Sequence, residues 1–142
     1  AHGLGWPSGR CPVTLLLDTH VLLWALGAPR RLPEPVRSAL ADRRTPLLVS
    51  AASAFEIATK HRLGRLPEAS ALIHHFDQQV ERLGADQLPI SAQHAIAAGS
   101  LDWSHRDPFD RMLAAQAMSD GLELVTADPV LSGVAGLSTR WG

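Results

Sequence analysis

The chain has no tyrosine, a single cysteine (Cys11) in 142 residues, and no apolar run near the roughly 18 residues needed to cross a bilayer. One cysteine excludes an intramolecular disulfide and a cysteine-based zinc site. It points to a reducing, cytoplasmic setting, and no membrane partner is expected. Also missing is the excess of positive charge typical of proteins that bind nucleic acid by bulk electrostatics, since the net charge is −1. No P-loop, Gly-x-Ser-x-Gly elbow or His-Glu-x-x-His string occurs. Gly3-Leu4-Gly5 grazes a dinucleotide fingerprint but precedes the first strand instead of following it.

What is present is the balance of a globular domain. Hydrophobic residues make up 46% and charged residues 19%, and the length suits one core rather than two. Residues 1–12 are rich in Gly, Pro and Ser and read as a flexible N-terminal extension or a cloning remnant, leaving 13–142 as one domain. Val13 to Leu17 is a short continuous apolar run, as expected of a strand buried on both faces. Further strands are expected at Leu47 to Ser50, at Gln87 to Ile90 (an edge strand, given Pro89), at Leu122 to Thr126 and at Leu137 to Trp141. Between them, helical spacing of apolar residues predicts helices over Glu34 to Arg43, Ala51 to Leu63, Glu68 to Leu83, Ser91 to Ala98 and Pro108 to Ser119. Strands alternating with helices imply a three-layer α/β/α sandwich around a mostly parallel sheet of about five strands.

In such a sheet, ligands bind at the carboxyl ends of the strands. Asp18 follows the first strand, Asp128 lies two residues past Thr126 at the end of the fourth, Glu56 sits early in the helix after the second, and Asp107 and Asp110 flank the start of the helix before the fourth. Clustered carboxylate oxygens suit hard cations such as Mg2+ or Mn2+. Each acid also has a plainer reading. Asp128 and Asp107 precede prolines as helix caps do, Asp110 would face a helix dipole, Ser53 to Glu56 matches a capping box, and Asp18 would cap the turn Thr19 to Leu26. Capping and metal binding are compatible, and four acids on one edge favour a metal site. Positive charge gathers nearby, in Arg30, Arg31, Arg37, Arg43 and Arg44, and again in Lys60, His61, Arg62 and Arg65.

The strings Leu15-Leu16-Leu17-Asp18-Thr19-His20-Val21-Leu22-Leu23-Trp24, Ser50-Ala51-Ala52-Ser53-Ala54-Phe55-Glu56-Ile57-Ala58, His105-Arg106-Asp107-Pro108-Phe109-Asp110-Arg111 and Leu124-Val125-Thr126-Ala127-Asp128 resemble the PIN-domain toxins of prokaryotic VapBC toxin–antitoxin modules. The resemblance implies a PIN fold over Val13 to Trp141 and Mg2+- or Mn2+-dependent endoribonuclease activity, with metal-activated water attacking phosphorus in line. It assigns Asp18, Glu56, Asp110 and Asp128 as the catalytic, metal-holding acids, with Asp107 as runner-up to Asp110 in an outer position and Thr126 as a supporting hydroxyl. Lys60, Arg62, Arg106 and Arg111 are candidate RNA contacts, although Lys60 also has the spacing of an i,i+4 ion pair with Glu56. An RNA substrate, a small cognate antitoxin and a homodimer are expected on the resemblance alone. The one non-enzymatic alternative is a PIN-fold binding module, against which retention of all four acids argues.

Other acid-pocket families fit less well. A receiver domain would need paired acids after the first strand and an acceptor after the third, and an aspartate-nucleophile phosphatase would need an acid where His20 stands. His74 and His75 are adjacent and so point apart, while His61, His94 and His105 read as exposed or loop residues, which disfavours zinc. Trp24 and Trp141 read as core or strand-end packing and Trp103 as a loop anchor.

Overall fold

The computed structural model describes residues 13–142. The expectation of an N-terminal extension, and Cys11 with it, lies outside the described residues. The first strand, β1 (Leu15–Leu17), is three leucines, none more than 1% exposed. Because side chains alternate along a strand, three buried leucines in succession require cover on both faces. Leu15 and Leu17 join a core with Val21, Leu22, Val36, Val49, Ile57 and Val80, while Leu16 joins the opposite core with Leu113, Ala114, Ala117, Leu124 and Leu131.

The sheet has five strands in the order β3-β2-β1-β4-β5, all pairs parallel: β2 (Leu47–Ser50), β3 (Ala85–Leu88), β4 (Glu123–Val125) and β5 (Thr139–Arg140). Each parallel connection needs a crossover, which the helices provide. These are α1 (Thr19–Gly27), α2 (Glu34–Ala41), α3 (Ala51–Arg62), α4 (Ser70–His74), α5 (Phe76–Leu83), α6 (Ala92–Ser100), α7 (Pro108–Asp120) and the single turn α8 (Pro129–Ser132). This is the expected three-layer sandwich, with the sheet parallel throughout.

Several boundaries differ from the sequence reading for identifiable reasons. The helix expected over Glu68 to Leu83 is a 3-10 turn (Pro67–Ala69) followed by α4 and α5, broken at His75, where φ is −125° and ψ 33°. The edge strand β3 starts earlier than expected and ends at Leu88, since Pro89 has no N–H for the ladder. The first helical hydrogen bonds of α3 begin after Ser50, whose hydroxyl accepts from the Ala52 N–H, so Ser53 does not cap that helix. His94, read as exposed or in a loop, is 7% exposed on α6 and completes a capping box with Ser91.

Candidate active site

The chain leaves β1 to build β2 and β3 on one side and returns to place β4 and β5 on the other. The order therefore reverses between β1 and β4, and connections leaving these neighbours diverge to open a crevice at their carboxyl ends. Leu17 is in register with Val125, and the Asp18 N–H donates to the Val125 carbonyl at 3.1 Å. Asp18 and Thr126 thus leave adjacent strands side by side.

A groove of about 390 Å³ lies there, lined by Asp18, Thr19, Glu56, Lys60, Asp110 and Asp128 together with His20, Trp24, Asp107, Leu113 and Ala127. All four sequence-predicted acids are brought to it, as is the alternative, Asp107. Three of the five acids cap helices while lining the groove. Asp18 Oδ1 accepts from Val21 N at 2.9 Å, Asp128 Oδ1 from Val130 N at 2.9 Å, and Asp107 Oδ1 from Phe109 N and Asp110 N at 2.8 and 3.1 Å. The Asp128 N–H in turn donates to the Thr126 hydroxyl oxygen at 3.1 Å.

Asp18 is 7% exposed. Burial raises its pKa above the ordinary carboxylate value. The hydrogen bonds from Thr126 and Val21 and the nearby His20 oppose that rise, and the Glu56 charge adds to it. Asp110 is likewise raised by burial, against a hydrogen bond from His105, with the charges of Asp107 and Glu56 pushing further. The same Glu56 charge bears on both. Glu56 itself is 5% exposed and held at both oxygens: the Thr19 hydroxyl donates to Oε1 at 2.6 Å and Lys60 Nζ to Oε2 at 2.6 Å. The Ser53 hydroxyl lies 3.0 Å from that of Thr19.

Of the candidate RNA contacts, Lys60 lies in the groove and forms the i,i+4 pair its spacing suggests. Arg62 and Arg106 are exposed and do not line the groove. Arg111 is turned away, its guanidinium spent on backbone carbonyls. Sequence reasoning missed Thr19 and His105. His105 is half-buried, with Nε2 2.8 Å from Asp110 Oδ2. The signals were there in the Asp-Thr pair after β1 and in the five-residue spacing from His105 to Asp110.

The donor set fits a hard divalent cation. The predicted acids offer only oxygen, and among the described residues one carboxylate oxygen of Asp110 and one of Asp128 have no hydrogen-bond partner. Ligand atoms of His105, Asp107 and Asp110 lie within 4.8 Å of one another, and the two acids line the groove.

A PIN domain profile matches residues 15–137. The chain is 33% identical over 116 residues to Ribonuclease VapC22 of Mycobacterium tuberculosis, an overlap of 81% of this chain and 87% of that protein. Its fold is similar to the DNA-bound VapBC of Salmonella typhimurium, with a TM-score of 0.65 at 20% identity, over 90% of this chain and 97% of that one. It is also similar to VapBC2 of Rickettsia felis bound to a promoter DNA fragment, with a TM-score of 0.64 at 13% identity, over 91% and 99%. At these identities the two structures speak for the fold.

Proposed function

The chain belongs to the PIN-domain family, and on that premise we propose that it is the toxin of a type II toxin–antitoxin module, an endoribonuclease that hydrolyses RNA phosphodiester bonds with Mg2+ or Mn2+. The observation that carries this reading is the convergence of Asp18, Glu56, Asp110 and Asp128 on one groove at the reversal of strand order.

Asp18, Asp110 and Asp128 would hold the cation, with Glu56 as a further ligand or as the base that orients the attacking water. A bound Mg2+ or Mn2+ supplies Lewis acidity, which acidifies water and offsets negative charge at the phosphate. The protein's part is preorganisation. Helix N–H groups fix Asp18 and Asp128, and Thr19 with Lys60 fixes Glu56, so little reorientation is left for the moment of reaction. Lys60 adds a positive charge within the groove for the scissile phosphate.

VapBC complexes among the fold neighbours support a small cognate antitoxin as partner. The homodimer and the cytoplasmic setting rest on the family likeness. No helix among the described residues is long and apolar enough to cross a membrane. The test is cleavage of labelled total RNA by antitoxin-free protein, with and without Mg2+ or Mn2+, beside Asp18→Asn. Metal-dependent cutting that the variant loses is expected, whereas an active Asp18→Asn enzyme would overturn the site. Folded protein that cuts nothing under either metal would favour the binding-module reading.

A further inference from the structure

One guanidinium gathers the whole approach to α7. Arg111 donates from Nε to the Ala98 carbonyl at 2.9 Å, from Nη1 to those of Trp103 and His105 at 2.6 and 3.0 Å, and from Nη2 to those of Leu101 and Gly99 at 2.8 and 3.4 Å. Ala98 and Gly99 lie in the last turn of α6 and Leu101 ends it, where carbonyls have no helical donors and the helix dipole is negative. A planar fork with five N–H donors can tie this helix end to the following loop, and an ammonium group cannot.

That loop carries His105. Its carbonyl is one of the Arg111 acceptors, and its ring packs on Trp103 with centroids 4.7 Å apart. Its Nε2 lies 2.8 Å from Asp110 Oδ2, where an ionised carboxylate can only accept, so the ring nitrogen donates. The other Asp110 oxygen has no partner among the described residues.

We propose that His105 and Arg111 are positioning residues for the cation site: Arg111 fixes the loop, the loop fixes the imidazole, and the imidazole holds one oxygen of Asp110 so that the other is presented to a divalent cation. The proposal rests on the reading of Asp110 as a cation ligand. Its physical basis is that hydrogen bonds to a ligating side chain tune metal affinity, by about 10- to 100-fold when such a partner is removed.

The experiment measures Mn2+ binding by calorimetry, without RNA, on the folded full chain and on His105→Ala, His105→Gln, Arg111→Lys and Asp110→Asn, with melting curves for each. His105→Ala is expected to weaken Mn2+ binding about tenfold. His105→Gln, whose amide N–H can take the place of Nε2, recovers most of that loss, which a purely structural role for the ring would not produce. Arg111→Lys should weaken Mn2+ as His105→Ala does, and the double variant should lose no more than either single one, because both act through the same hydrogen bond. Unchanged Mn2+ affinity in His105→Ala, or additive losses in the double variant, would overturn the positioning role while leaving the four-acid site standing. A nitrogen coupling to bound Mn2+ in spin-echo spectra that disappears in His105→Gln would make His105 a ligand and overturn it as well. Unchanged affinity in Asp110→Asn would remove the ligand assignment itself, and this proposal with it.

Discussion

Asp18 has two roles that pull in opposite directions. Its Oδ1 caps α1, which stabilises the fold, while its burial next to Glu56 penalises its charge. Burial is the larger influence on its pKa, which is raised, so between the ordinary and the raised value the native state holds a proton that the unfolded chain has already released. The stability tied to this proton is fully present below the ordinary carboxylate value and is lost as pH rises through the raised one. Asparagine keeps a capping oxygen and carries no charge. Asp18→Asn should therefore be more stable than the parent at pH 7 without metal, with the difference vanishing towards pH 3. Urea melts across that range check it, and a variant less stable at pH 7 would show that the carboxylate is not strained there. Asp18 was legible in the sequence because an acid directly after a buried hydrophobic run calls for a reason. Thr19 and His105 were harder to read, because the Asp-Thr pair and a five-residue spacing are weak signals when a threonine at a helix start and a histidine in a loop have many ordinary uses. Only the third dimension sets the Thr19 hydroxyl 2.6 Å from Glu56 across 37 residues of chain.

At the scale of elements, α6 and α7 are joined by polar contacts where the sheet is joined by leucine. His94 Nδ1 accepts from the Ser91 N–H at 3.1 Å, and its Nε2 lies 3.1 Å from Asp120 Oδ1. Gln116, fully buried on α7, donates to the Pro89 carbonyl at 3.2 Å and bonds the Ser50 hydroxyl at 2.5 Å, linking the α3 cap to the end of β3. His94→Ala would break the capping box and leave Asp120 without this partner. A loss of about 2 kcal/mol is expected, measurable by denaturant melts, since capping and hydrogen-bond losses of about 1 kcal/mol each combine here. A loss below about 0.5 kcal/mol, the range of neutral surface changes, would show the network to be incidental. The sequence reading placed His94 outside any such network, because its partner Asp120 is 26 positions away. It ran α4 and α5 together for another reason: Leu72, Ile73, Phe76, Val80 and Leu83 keep helical spacing across the break, and neither glycine nor proline marks His75. Strand identity survived better than strand ends, since Leu47 to Ser50 is bounded by a proline and a helix cap.

At the scale of the molecule, the groove concentrates negative charge in a protein whose net charge is only −1. A divalent cation that binds the folded chain and not the unfolded one raises stability by mass action. Millimolar Mn2+ should therefore raise the melting temperature of the parent and leave that of an Asp18→Asn, Asp110→Asn double variant unmoved, as followed by circular dichroism. An equal rise in both would place the binding elsewhere. The family membership, the parallel sheet and the sandwich were all within reach of the sequence, because local strings and alternating patterns report them. The strand order was not, since it depends on which strand returns beside β1.

That return fixes when the site can form. Asp18 and Asp128 stand 110 positions apart, and β4 is both a neighbour of β1 and the strand that leads to Asp128. On a ribosome, a chain that has emerged only as far as α6 has Asp18 and Glu56 but neither Asp110 nor Asp128, and the face of Leu16 still lacks Leu113, Ala114, Leu124 and Leu131. The four acids can meet only once α7, β4 and the turn that carries Asp128 have been made. The order in which the strands are made therefore delays the site until the strand beside β1 has returned.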